Sequence, residues 1–115
     1  MMKAIQHKTP NKFNFREHNG LRYLHFTLVD YGGMTFEEVY QECLRQGELD
    51  VPFHYFIDSD GLVHEGRLDS VVASSSLVRH TVHVFIDAER KEKLTEQQRL
   101  SMDDICSYYS TLILI

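Results

Sequence analysis

The stretch Leu49-Asp50-Val51-Pro52-Phe53-His54-Tyr55-Phe56-Ile57-Asp58-Ser59-Asp60-Gly61-Leu62-Val63-His64-Glu65-Gly66-Arg67 decides how this sequence folds. Two runs rich in apolar and β-favouring residues, 51–57 and 62–67, flank Asp58-Ser59-Asp60-Gly61. Runs of this composition read as strands. The Asp-Gly pair between them supplies a turn, because glycine accepts the positive φ that a tight reversal needs. The segment is therefore expected to be a β-hairpin. Alternation sets Phe53, Tyr55 and Ile57 against His54, Phe56 and Asp58, which gives the first strand two usable faces. The turn then fixes the register.

Upstream, Leu21-Arg22-Tyr23-Leu24-His25-Phe26-Thr27-Leu28 reads as a buried strand that Tyr31-Gly32-Gly33 breaks. Thr35 and Glu38 have the spacing of a capping box, and Phe36, Val39, Tyr40, Cys43 and Leu44 then mark one apolar helix face. This predicts a helix over 35–46, stopped by Gly47. Downstream, 68–78 is small and polar at its centre and reads as a loop, and 80–88 is a further β-rich run. Thr95 and Gln98 form a second capping box. Met102, Ile105, Cys106, Tyr109, Leu112 and Ile113 share a helical face after it, which predicts a helix from 95 to about 113. A short edge strand near Ala4-Ile5 completes the pattern. The order strand, helix, hairpin, strand, helix gives a mixed α/β fold, a small central mixed sheet flanked by helices. We expect one domain over 1–115, with 1–20 as a basic N-terminal segment.

Composition narrows the function classes. A net charge of −5 argues against a nucleic-acid backbone as partner. There is no apolar run near the ~18 residues of a membrane helix, and the N-terminus, with Lys3, Lys8, Lys12 and Arg16, has no apolar core of a secretory signal. A cytoplasmic location follows as an expectation. Cys43 and Cys106 both fall on apolar helix faces and are expected to be reduced and buried.

The hairpin, with its Phe-His-Tyr-Phe-Ile strand, Asp-Gly turn and Glu-Gly-Arg end, resembles a signature of the type-2 N-acetylmuramoyl-L-alanine amidases and peptidoglycan recognition proteins, the group that includes the T-odd phage lysozyme. The flanking order fits too, from the strand carrying His25 to the long helix after Leu94-Thr95. The resemblance implies a zinc amidase fold. It implies ligands on the first core strand, on a histidine after the long helix, and on a Cys, Asp or His a little further on. An assisting tyrosine stands at the hairpin start, with a lysine or threonine near the last ligand.

Against that pattern His25 is the one residue that matches a ligand. The sequence ends at or just after the helix that precedes the others, so the resemblance implies a C-terminally truncated, degenerate member. The tyrosine position is Phe53, which has no hydroxyl. The strand that opens Asn-Ser-Ile-Gly in the family reads His80-Thr81-Val82-His83 here, and the loop before it, with Ser74-Ser75-Ser76, is shorter. Phe53 and His83 are thus expected in the cleft. An alternative metal site of His25, His83 and either His54 or His80 is open. Alternation, however, turns His54 away from Phe53 and sets His80 opposite His83, so that at most His25 and His83 share a wall.

These features assign no catalytic residue and no cofactor. The expected function is a catalytically inactive amidase-like protein, phage- or prophage-encoded, that binds and modulates a macromolecule of host or phage, such as an RNA polymerase or a defence protein. The T-odd phage lysozyme, which also inhibits RNA polymerase, is the family precedent. A protein partner or self-association is expected through the C-terminal strip, with Leu112, Leu114 and Ile115 as interface candidates. The alternative is a zinc-dependent amidase or peptidoglycan-binding remnant, with zinc as its metal.

Overall fold

Both capping boxes start helices in the computed structural model, which describes residues 2–7, 20–69 and 80–115. Along the chain come β1 (Tyr23–Val29), α1 (Phe36–Arg45), β2 (Tyr55–Ile57), β3 (Val63–Glu65), β4 (Thr81–Asp87), α2 (Glu96–Tyr108) and β5 (Ile113–Leu114). At α1, the Thr35 hydroxyl accepts from the Glu38 amide at 3.2 Å, and the Glu38 carboxylate accepts from the Thr35 amide at 3.0 Å. At α2, Gln98 does the same for Thr95 and goes further. Its Nε2 donates to the carbonyls of Asp58 and Asp87 at 3.0 and 2.8 Å. A capping residue thereby ties the helix to both the hairpin turn and β4.

The five strands form one mixed sheet in the order β3-β2-β4-β1-β5. β4 is central and runs parallel to β1 and to β2, while β2 and β3 are the antiparallel hairpin. Every residue of β4 is buried, as expected of a strand with both faces covered. Val82, Val84 and Ile86 point to the α2 side, with Leu24, Tyr55, Ile57, Ile105 and Tyr109. Phe85 joins Phe36, Val39, Tyr40, Cys43, Phe53 and Phe56 on the α1 side. Fully burying each such Val or Ile contributes roughly 1.5–3 kcal/mol. The Asp58–Gly61 turn is held by Asp58 Oδ1, which accepts from the Asp60 and Leu62 amides, and Gly61 takes the positive φ of 85° that the sequence predicts. A Cβ at Gly61 would lie 2.7 Å from Gln97, so the turn must carry glycine for α2 to sit against it.

The structure corrects several sequence expectations. The second helix ends at Tyr108, not near Ile113. The chain instead turns and lays β5 parallel to β1, with the Ile113 amide donating to Arg22 and the Ile115 amide to Leu24. Ser110 and Thr111 are poor helix formers, and the apolar run after them pairs with an open strand edge. Leu112 packs against the α2-side core, so it is not an exposed interface residue, whereas Leu114 and Ile115 are exposed. Leu44, expected on the buried stripe, sits at its rim. Both cysteines are free, but Cys43 is buried while Cys106 is half-buried at the edge of the α2-side core. Only 55–57 of the expected strand 51–57 pairs as strand. The edge strand near Ala4-Ile5 is a single parallel bridge, Ile5 to His64. The expected serine-rich loop and most of the basic segment lie outside the described residues.

Candidate functional site

Three parallel neighbours bring histidines into a row. His25 of β1 is the register partner of His83 of β4, and their rings meet edge to face at 6.0 Å. On the other side of His83 lies His54, just before β2, with its ring 6.2 Å away. The expectation that His54 turns away from the site is wrong. The strand alternation on which it rests does not begin until Tyr55. Before that the chain bends, so Phe53 and His54 both reach the α1 side: Phe53 against Phe36, Phe56 and Phe85, and His54 against His83. His80 lies before β4 with a φ of 63° and donates from Nδ1 to the Gly20 carbonyl, apart from the row.

Main-chain bonds set the protons of two of these rings. His54 Nδ1 accepts the His83 amide at 2.9 Å, so the ring's hydrogen resides on Nε2. The His54 amide in turn donates to the His83 carbonyl at 2.9 Å. His54 therefore stitches the irregular start of the hairpin to the central strand. His25 Nδ1 lies 3.0 Å from the main-chain oxygen of Ile115, which can only accept, so Nδ1–H donates and Nε2 is the acceptor nitrogen. That is the arrangement in which a histidine ligates through Nε2. His25 is partly exposed, whereas His83 is 6% exposed and His54 fully buried.

A catalytic zinc requires three protein ligands and an open position. His25 fits that chemistry as one ligand. Among the described residues, however, no three His, Cys, Asp or Glu side chains converge on a common point. His54 cannot serve through Nδ1 because that lone pair accepts the His83 amide. The donor set among the described residues does not fit the metal. Phe53 is fully buried in the aromatic cluster, so the tyrosine position carries packing and no hydrogen bond. Burial also pushes the Cys43 thiol up to about 11 and raises that of Cys106, which disfavours thiolate chemistry at either.

Sequence reasoning misses a second group. At the β3 edge His7 bonds to His64 and His64 to Asp58. The Asp58–His64 pair is legible from the hairpin, since a turn residue and the second residue of the returning strand come close together. Nothing in the sequence joins His7 to them, because that contact spans 57 residues.

No protein-family model matches the sequence, and no curated protein matches it. Solved structures do. LysC, an N-acetylmuramoyl-L-alanine amidase of Clostridium intestinale URNW, superposes with a TM-score of 0.84 at 16% identity, over 99% of this chain and 81% of that one. Drosophila peptidoglycan recognition protein SD gives 0.80 at 13%, over 99% and 82%. The ectodomain complex of peptidoglycan recognition proteins LCa and LCx, bound to tracheal cytotoxin, gives 0.77 at 16%, over 96% and 79%. With TM-scores of 0.77 to 0.84 over nearly the whole of this chain, it has the fold shared by the N-acetylmuramoyl-L-alanine amidases and the peptidoglycan recognition proteins.

Proposed function

We propose that this chain is a catalytically inactive protein of the amidase fold, encoded by a phage or prophage and working in the bacterial cytoplasm, that acts by binding another macromolecule, a protein such as an RNA polymerase or a defence protein. The observation that carries the reading is the state of the histidine row. Of three aligned rings, His54 and His83 are buried, the His54 Nδ1 is committed to an amide, and the partly exposed His25 keeps Nε2 as its acceptor nitrogen. A water-activating zinc needs more than that. Phe53 supports the same reading, since a group that would steady a reacting carbonyl is replaced by one that fills space. The surface open to a partner includes the exposed Ile113, Leu114 and Ile115 on the sheet-edge strand β5.

Metal analysis of the purified protein, together with an assay for muramoyl-alanine amide cleavage, tests the catalytic half. We expect no tightly held zinc and no cleavage. About one zinc per chain, lost in His25→Ala, would overturn the proposal. A second reading, peptidoglycan-fragment binding without cleavage, draws on the cytotoxin-bound relative. Calorimetry with a muropeptide separates the two, because an inactive protein-binding chain should give no heat of binding.

A further inference from the structure

The rings of His7 and His64 meet through one hydrogen bond, Nε2 to Nδ1, at 2.8 Å. The other nitrogen of His64, Nε2, lies 2.7 Å from Asp58 Oδ2. An ionised carboxylate only accepts, so His64 Nε2 carries a hydrogen. Asp58 is itself fixed, its Oδ1 accepting from the amides of Asp60 and Leu62 at 3.0 and 2.9 Å. Between the two rings one nitrogen must donate and the other accept. Either His7 donates to a neutral His64, or a cationic His64 donates to a neutral His7. If both rings are cationic, two N–H groups confront each other at hydrogen-bond distance, and attraction becomes repulsion between like charges.

We infer that the segment 2–7 is an acid-released latch on the β3 edge: it docks while one of the two rings is neutral and leaves when both are cationic. Elsewhere in the segment Met2 and Ala4 pack against the α2-side core, and two main-chain bonds join it to β3. The Ile5 amide donates to Val63 and the Glu65 amide to the Ile5 carbonyl, both at 2.8 Å. The His7 ring stacks on Phe36 at 3.7 Å, nearly parallel. A terminal segment held at a sheet edge opens at a lower free-energy cost than the interior strands.

Charged neighbours act in both directions. Glu37 of α1 favours a cationic His7, while burial and His64 oppose it and prevail, which lowers the His7 pKa. Asp58 faces His64 from the turn. Glu65, Asp50 and Arg67 line, with His7, a cavity of about 350 Å³ beside the ring. In the undocked segment His7 takes the ordinary value of about 6.5. The released state thus binds more protons, so docking is strongest above about 6.5 and is lost as pH falls below it. Release bares His64, Phe36 and the main-chain groups of β3, an open sheet edge able to pair with another strand.

The test is an NMR titration of the full chain from about pH 7.5 to about pH 5. We expect the Ile5 and Glu65 amide signals to move to their undocked positions with the His7 ring titration, while those of Leu24 and Val84 keep their native shifts. In His7→Gln the segment should stay docked throughout, because an amide rotates to offer His64 either a donor or an acceptor. Retention of the native Ile5 signal in the wild-type chain at the acid end overturns the proposal. So does equal release in His7→Gln. Joint loss of the Ile5 and Val84 signals overturns it as well, since the segment would then be no separate unit.

Discussion

His25, His83 and His54 line up across the middle of the sheet, whereas His7 and His64 sit with Asp58 at its β3 edge. In the first group two rings bond to the main chain, one to an amide and one to an oxygen. A main-chain amide or oxygen has a fixed polarity, so each such bond dictates which nitrogen carries the hydrogen. In the second group ring meets ring, and either can donate. The same residue type is thus a fastener to the main chain in one place and a ring-to-ring contact in the other. Histidine content alone does not distinguish a remnant metal site from a packed core or a pH-sensitive joint. What each ring nitrogen faces does.

The largest effect should come from the aromatic cluster on the α1 side, which packs against His7 and His64. Phe53→Ala, which empties a fully buried site, should cost about 3–5 kcal/mol in urea unfolding. A loss under about 1 kcal/mol would mean that the Phe36–Phe53–Phe85 cluster is not a packed core. Next, His54→Ala leaves the His83 amide without its acceptor and should cost about 1–3 kcal/mol. An unchanged midpoint would remove His54 from the structural side of the comparison.

Smaller effects sharpen the other side. Because the docked His7 has a lowered pKa, its contribution to stability is fully present above about 6.5 and declines as pH falls, by less than about 1.4 kcal/mol per pH unit. Unfolding free energies of wild-type and His7→Gln should therefore diverge with pH only below about 6.5; parallel curves would contradict this. Smallest in stability is Leu114→Asp on the exposed face of β5, expected within about 0.5 kcal/mol of wild type. It should nonetheless reduce partner capture or self-association, while His25→Ala leaves both intact. Dependence on His25 with indifference to Leu114 would move the working surface back to the cleft.

Much of the fold is legible in the sequence. Both helix starts are written in Thr35-x-x-Glu38 and Thr95-x-x-Gln98, since a cap is a contact within one turn of chain. The hairpin and its Gly61 turn are legible for the same local reason. The candidate site is less so. Alternation places His25 and His83 correctly on one wall because both lie inside regular strands. It misplaces His54 because period-two reasoning does not hold in the bend before Tyr55. Helical periodicity likewise misreads the end of α2, since Leu112 and Ile113 fit the helical period, yet a strand edge is there to receive them.

By itself the sequence determined the two helix starts with their caps, the hairpin turn and the absence of a hydroxyl at Phe53, all matters of residue type and near-neighbour spacing. Tertiary structure decided which strand lies beside which, and so which histidines meet. His25 reaches Ile115 across 90 residues, and His7 reaches His64 across 57. Such contacts leave no local periodicity, because they arise only when burying the faces of α1 and α2 forces the strands into the order β3-β2-β4-β1-β5. The identity of each ring's hydrogen-bond partner, and with it the proton it holds, is fixed at that point and not before.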